Sequence, residues 1–320
     1  MRFTADRYGW SCAARSRSVV NSTVDVIVIG AGPAGLSAAL VLGRCRRHVI
    51  VIDSGEYRNA TSQTMNGFLS RDGWDPAELR RVSREQLAKY PTVEVRQSTV
   101  TSADHDGRGG YIVRLASGDD LSGRVMVLAS GVVDRLPDLA GADELFGRGV
   151  FQCPYCDAFE VADRRLVAYG RESEGVDLAL ELTTWSDDVV LCTDGTSDLS
   201  DVERDRLEAN HIRIESRRIR SLVGGDRLRA VEFDDDSSLD CDALFFVSRQ
   251  RQRSDLAARL GCQFTDGGAV ATDEHEASCV PGLYVTGDAS RDVQFAIVAA
   301  AEGAEAAAAI NTALHSSELA

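Results

Sequence analysis

The stretch VDVIVIGAGPAGLSAALVLGRCRRHVIVIDSG, residues 24–55, constrains the fold more than any other part of the chain. It reads as strand, glycine turn, helix, strand. Val24 to Ile29 is apolar apart from Asp25, as expected of a strand buried on both faces. Gly30, Gly32 and Gly35 form G-x-G-x-x-G at the strand–helix junction. The first glycine permits the tight turn, the second lets backbone approach a pyrophosphate, and the third lets helix and strand pack closely. Free N–H groups at the helix start then face the phosphates. The second strand, His48 to Ile52, ends at Asp53, where an acid meets a ribose hydroxyl. Val26 to Gly43 carries no charge, but its glycines and proline punctuate it as a turn and not as a membrane span.

The 320 residues suffice for one large or two ordinary domains, and 44% hydrophobic residues allow a sizeable core. The formal charge of −15, without an arginine-rich stripe, argues against nucleic acid as a partner. Residues 1–22 are Arg- and Ser-rich without periodicity and read as a flexible extension with no assigned role. No signal peptide is apparent, so a cytoplasmic setting is expected.

Further along, a helix is expected over Asp75 to Tyr90. The segments Val93 to Arg96, Tyr111 to Leu115 and Arg124 to Leu128 suggest a small antiparallel layer and a return to the sheet. A second strand–turn–helix–strand unit follows in RLVAYGRESEGVDLALELTTWSDDVVLCTDG, residues 165–195, a near-repeat of the first. Gly170 and Gly175 hold the first and third glycine places. Glu172 occupies the second, where a carboxylate would meet a pyrophosphate. Asp194 ends the strand where a 2′-phosphate would need a cation. It suits a free ribose hydroxyl, and so NADH, better. Arg171 is within chain reach of a phosphate. Near the end, Leu283 to Thr286 reads as a strand running into Gly287-Asp288 and a long Ala-rich helix suited to tight packing.

Of eight cysteines, only Cys153 and Cys156 are closely spaced, in VFQCPYCDAFE. No second CxxC or nearby histidine completes a zinc site, so no metal is expected. A metal clamp, a structural disulfide and a redox pair are the alternatives, and a lone CxxC in a reducing compartment is more often catalytic than structural. At a helix start the N–H groups favour a thiolate, and Pro154 suits a first turn. Asp157 can move a proton if burial raises its pKa. Cys45, Cys192, Cys241 and Cys262 read as small core residues. Tyr155 and Trp185 read as packing residues.

Together these motifs resemble the low-molecular-weight thioredoxin-reductase-like group of FAD-dependent disulfide oxidoreductases, class II of the pyridine nucleotide-disulfide oxidoreductases. The resemblance runs from Val24 to Leu314 and rests on motif order: the first glycine motif, Ala129-Ser130-Gly131, the CxxC, then Gly287-Asp288. It implies an α/β fold of two Rossmann-like, three-layer β/β/α dinucleotide-binding domains, the second inserted into the first. The FAD-binding domain would comprise residues 23–137 and 248–320. Residues 138–247 would form the inserted NAD(P)-type domain carrying the CxxC. By the same resemblance Gly30, Gly32, Pro33, Ala34, Gly35, Asp53, Ser54 and Gly131 would hold FAD, with Gly287, Asp288, Gln294, Phe295 and Ala296. Cys153 and Cys156 would be the redox disulfide and Asp157 its proton shuttle. NADPH or NADH would be the donor, a thioredoxin-like protein or a small-molecule disulfide or dithiol the partner, and a homodimer the assembly, with no membrane involved. Three segments depart from the group: Glu172 with CTDG, the loop RNATSQTMNGFLSRDG (Arg58 to Gly73), and FFVSRQRQRSDL. These look similar to a branch of dithiol oxidases that pass electrons to oxygen and release hydrogen peroxide, which is the alternative function. That branch often carries histidine after the second cysteine, where this chain has Asp157.

Overall fold

The computed structural model describes residues 23–195 and 198–320; the extension expected at residues 1–22 lies outside them. The chain opens with strand β1 (Val24–Ile29), helix α1 (Pro33–Arg44), strand β2 (Val49–Asp53) and helix α2 (Pro76–Leu87). Strands β3 (Val93–Gln97), β4 (Val100–His105), β5 (Tyr111–Leu115), β6 (Asp120–Leu128) and β7 (Val132–Arg135) follow. Next come helix α3 (Ala142–Leu145), strand β8 (Val150–Phe151), the one-turn helix α4 (Pro154–Asp157), strand β9 (Leu166–Tyr169) and helix α5 (Ser173–Leu182). Strand β10 (Val189–Cys192), helix α6 (Asp201–Ala209) and strands β11 (Arg213–Glu215), β12 (Ile219–Gly224), β13 (Leu228–Phe233), β14 (Ser238–Asp240) and β15 (Ala243–Phe246) continue the chain. It closes with strand β16 (Arg249–Gln252), helix α7 (Leu256–Arg259), strand β17 (Leu283–Val285) and helix α8 (Ala296–Leu319).

The first sheet runs β3-β2-β1-β6 in parallel. Beyond that, β6 divides its free edge. Its N-terminal half pairs antiparallel with β5, and its C-terminal half pairs parallel with β17. Strand β1 is buried on both faces as expected: Val26 and Val28 join one core cluster with α1 and α8, and Ile27 and Ile29 join another. Val93 to Arg96 does not belong to the antiparallel layer. It forms β3 and pairs parallel with β2, because the crossover through α2 returns the chain in the same direction. The antiparallel layer is instead β4, β5 and the start of β6. Strand β4, VTSADH, is too polar to have been read from its pattern.

The second sheet repeats the plan, with parallel order β11-β10-β9-β15-β8 and an antiparallel layer β12-β13-β14. The fold is therefore α/β, with two Rossmann-like domains, the second inserted into the first. Strands β7 and β16 pair antiparallel, Arg135 opposite Arg249, and form the ribbon along which the chain passes between the two sheets.

Helix α8 is long and apolar enough to cross a membrane by length and composition alone. In the fold its face at Ala306, Ala307 and Ile310 is fully buried, packed with α1. A Cβ on Gly303 would lie 2.0 Å from the Ala34 carbonyl oxygen, so the small-residue content reflects close helix contact. Cys192, Cys241 and Cys262 are buried as expected. Cys45 is exposed, because α1 ends at Arg44 and the next residue turns outward.

Candidate active site

The three glycines of the first motif do different work. Gly30 has φ +106°, and a Cβ there would lie 2.3 Å from the Ala129 carbonyl oxygen. A Cβ on Gly35 would lie 1.9 Å from the Gly30 carbonyl oxygen. Gly35 does not line the cavity described next, so its role is packing and not direct cofactor contact. Above Gly32 there is open space, with nothing within 4 Å of an added Cβ. That space opens into a cavity of about 340 Å³. Gly30, Gly32, Pro33, Ala34, Asp53 and Ser54 line one part of it. Gly131, Gly287, Asp288, Gln294, Phe295 and Ala296 line the rest.

Asp53 is nearly fully buried at the end of β2. Its Oδ1 accepts from Gly55 N at 3.0 Å, and its Oδ2 accepts from the Tyr57 hydroxyl at 2.5 Å and from Arg84. Oδ1 thus keeps acceptor capacity for a sugar hydroxyl, while Oδ2 is taken. Neither Tyr57 nor Arg84 was legible as a partner from spacing. Thr286 lines the same cavity region, and its buried Oγ1 has no hydrogen-bond partner among the described residues.

Gly287 has φ +75°, and its N–H donates to the buried Glu302 Oε2 at 2.8 Å. Helix α8 therefore holds the Gly-Asp turn. Burial raises the Asp288 carboxyl, and Arg58 pulls it back down. Arg58 Nη1 donates to Asp288 Oδ2 at 2.8 Å and to Gln294 Oε1 at 2.5 Å. Arg58 comes from the loop whose sequence departs from the group it resembles. That departure was the available signal, but it named no partner.

The cysteine pair reaches the cavity from the side of the inserted domain, through Cys156. Cys153 and Cys156 are joined as a disulfide, with Cα atoms 5.2 Å apart. Cys153 is the N-cap of α4, and Pro154 opens the helix. Cys156 and Asp157 line the cavity together with the glycine cradle; Cys153 does not. Burial, aided by Glu160, pushes the Asp157 carboxyl up to about 7. Asn66 Nδ2, from the loop after Arg58, donates to the Cys156 carbonyl at 2.8 Å. Tyr155 is largely exposed and meets Trp185 edge-on at 5.5 Å and Phe295 at 6.4 Å, so its packing is a surface bridge between the domains.

A second cavity, of about 680 Å³, lies at the second glycine turn. Gly170 and Gly175 pack closely: a Cβ on Gly170 would lie 2.6 Å from the Gly175 Cα. Glu172 sits at the N-cap of α5 and lines the cavity with Arg171 and Asp194. Asp194 is engaged much as Asp53 is, with Oδ1 keeping acceptor capacity. Its Oδ1 accepts from Ile219 N at 2.8 Å, and its Oδ2 from Arg171 Nη2 at 2.5 Å and the Tyr169 hydroxyl at 3.4 Å. Arg171 also donates to the Thr193 and Asp194 carbonyls, contacts that spacing did not reveal. Among the described residues no group of three or more His, Cys, Asp or Glu could hold a metal ion.

The family of pyridine nucleotide-disulphide oxidoreductases matches residues 24–303. The chain belongs to that family. The oxidoreductase is 30% identical over 303 residues to a probable thioredoxin reductase of Arthroderma benhamiae, covering 84% of this chain and 74% of the relative. It is 27% identical to the thioredoxin reductase of Aquifex aeolicus, covering 90% and 92%. Among solved structures, that of HlmI superposes with TM-score 0.89 at 38% identity over 93% of this chain and 94% of that one. A putative thioredoxin reductase, TrxB, from Bacillus anthracis gives TM-score 0.88 at 30% identity, covering 92% and 99%. The oxidoreductase is thus a flavoprotein acting on sulfur groups, with FAD as its cofactor. The cavity fits that group. It offers open space over the Gly32 backbone, a buried carboxylate with spare acceptor capacity at Asp53, and a wall residue, Thr286, whose buried hydroxyl is unpaired among the described residues.

Proposed function

We propose that the oxidoreductase passes two electrons between flavin and a substrate disulfide or dithiol through Cys153 and Cys156. The observation that carries this reading is that Cys156 and Asp157 line the same cavity as the glycine cradle. FAD, when bound, supplies the two-electron exchange with the redox pair. The cradle at Gly32 and the start of α1 receive its diphosphate, Asp53 its ribose, and the Asp288 turn the chain leading to the ring.

Cys156 is the flavin-facing sulfur and Cys153 the exchanging one. In the reductive direction the Cys153 thiolate attacks a substrate disulfide, forming a mixed disulfide and expelling one substrate thiolate. The Cys156 thiolate then attacks Cys153 Sγ, reforming the Cys153–Cys156 disulfide and releasing the second substrate thiolate. Two electrons leave the pair and two protons complete the substrate thiols. A carboxyl titrating near pH 7 at Asp157 can hold or release one of these protons at Cys156.

The domain division, residues 23–137 with 248–320 and 138–247, is part of this reading, supported by the strands each sheet collects. So are a cytoplasmic setting, a homodimer, a thioredoxin-like protein or a small disulfide or dithiol as partner, and no membrane or nucleic acid. The thioredoxin reductase names of the relatives support NADPH or NADH as donor. A second reading, a dithiol oxidase using oxygen and releasing hydrogen peroxide, draws on the second cavity, where Glu172 and the Arg171–Asp194 pair stand against a nucleotide phosphate. Anaerobic mixing with NADPH, NADH or a dithiol, followed by flavin absorbance, separates the two. Bleaching by a nicotinamide establishes the reductase. Bleaching by dithiol alone, with reoxidation by air, establishes the oxidase. No bleaching by any of them overturns both.

A further inference from the structure

Arg58 is the side chain the cofactor reading did not absorb. It leaves the turn after β2 and is mostly buried, with 18% of its side chain exposed. Its Nε donates to Asp134 Oδ2 at 2.6 Å and its Nη2 to Asp134 Oδ1 at 2.7 Å, a two-point fork on strand β7. Its Nη1 reaches the other way, to Asp288 and Gln294. Asp134 is saturated: Ser248 Oγ and Gln250 Nε2 also donate to its Oδ1, at 3.0 and 3.1 Å. Gln250 and Gln294 pair amide to amide at 2.7 Å in both directions. One guanidinium thus links the turn after β2, the interdomain ribbon, and the turn and residue that precede α8. Asp288 lines the cavity and takes a side-chain hydrogen bond from Arg58 alone among the described residues.

We propose that Arg58 is a cofactor-positioning residue, which clamps Asp288 against Asp134 and so presents a fixed side chain to the sugar chain of FAD. The inference rests on the FAD reading of this cavity. A carboxylate meeting sugar hydroxyls must accept hydrogen bonds, and it accepts best when charged and held still. Three charges meet here, Arg58 from the turn after β2, Asp134 from β7 and Asp288 from the turn before α8; Ser248, Gln250 and Gln294 are neutral. Without Arg58, burial and the neighbouring Asp134 carboxylate push the Asp288 carboxyl further up, with no cation to oppose them.

The test is FAD binding to flavin-stripped protein, read by quenching of flavin fluorescence, with circular dichroism as the check of folding. Wild type, Arg58→Met, Arg58→Lys, Asp288→Asn and the Arg58→Met/Asp288→Asn double variant are compared from pH 6 to 9. Arg58→Met is expected to bind FAD roughly 10- to 100-fold more weakly at pH 7, the scale of one charge-assisted hydrogen-bond arrangement. Its affinity falls off more steeply toward the acid end of that range than wild type's, because losing Arg58 raises the Asp288 carboxyl. In the Asp288→Asn background the same change costs less than about 3-fold, since the group it acts through is gone. Arg58→Lys, which keeps the charge but not the fork, falls between. Equal losses in both backgrounds would make Arg58 a structural residue and overturn the proposal. If Arg58→Met binds FAD as wild type does, the proposal alone falls. If wild type binds no FAD, the reading of the cavity falls with it.

Discussion

Replacing Asp157 by Asn tests whether the cavity perturbs this carboxyl as its burial implies. Asn is close in shape but neutral at every pH. In the folded protein the Asp157 carboxyl titrates near 7, against an ordinary value of 3.8. A carboxyl whose folded pKa is raised contributes stability that is complete below the unfolded pKa and lost as pH rises through the folded one. Across those roughly three pH units the unfolded chain releases a proton that the folded chain keeps. At about 1.36 kcal/mol per unit this amounts to about 4 kcal/mol. Asp157 is only partly buried by surface area, so water in the cavity reduces the figure to roughly 2–4 kcal/mol. Urea unfolding of flavin-stripped, disulfide-intact protein reads this directly, free of the pH dependence of cofactor binding. The Asp157→Asn variant should gain on wild type steadily between pH 5 and 7, then run parallel to it above about pH 8. A stability difference that is flat across this range would refute the argument from burial.

The same substitution should slow the thiol–disulfide half-reaction by about 10²- to 10³-fold and remove a pH-rate limb near 7, measured by stopped-flow flavin absorbance. Cys153→Ser leaves Cys156 as a lone thiol in the flavin cavity, so ionising it should perturb the visible flavin spectrum. Cys156→Ser should not produce that change. Gly32→Ala should keep the thermal midpoint but weaken FAD at least about tenfold, because the added methyl fills only cofactor space. Gly35→Ala should instead unfold or severely destabilise the protein, since its methyl meets backbone at 1.9 Å. Glu172→Gly alone should improve nicotinamide affinity less than Glu172→Gly combined with Arg171→Ala, measured by titration, because Arg171 and Asp194 remain paired in the single variant.

Much of the fold was legible because the decisive signals are local. An apolar strand, a turn with glycines at fixed spacing and a second apolar strand can be satisfied in few ways, and the structure has two such units, the second with Glu172 in the middle glycine place. What the pattern did not carry was partner choice. Val93–Gln97 alternates like any half-buried strand, and only the path through α2 makes it parallel to β2. Cys45 follows an apolar helix, yet one residue beyond the helix end it faces solvent. At the candidate site the glycine turn, Asp53, the CxxC and Asp157 stand out by spacing, and the cavity takes in all of them except Gly35 and Cys153. Asp194 could be named too, but not its ion pair with Arg171 or its hydrogen bond from the Ile219 amide.

The sequence by itself determined where backbone must turn tightly and approach closely, because steric limits at a glycine depend on a few neighbouring residues. Only the tertiary structure decided which charges are spent. Arg58 finds Asp134 across 76 residues and Asp288 across 230. Asp157 owes its proton to the walls of a cavity built from both domains. Desolvation and ion pairing act through space, and neither has a signature in local spacing.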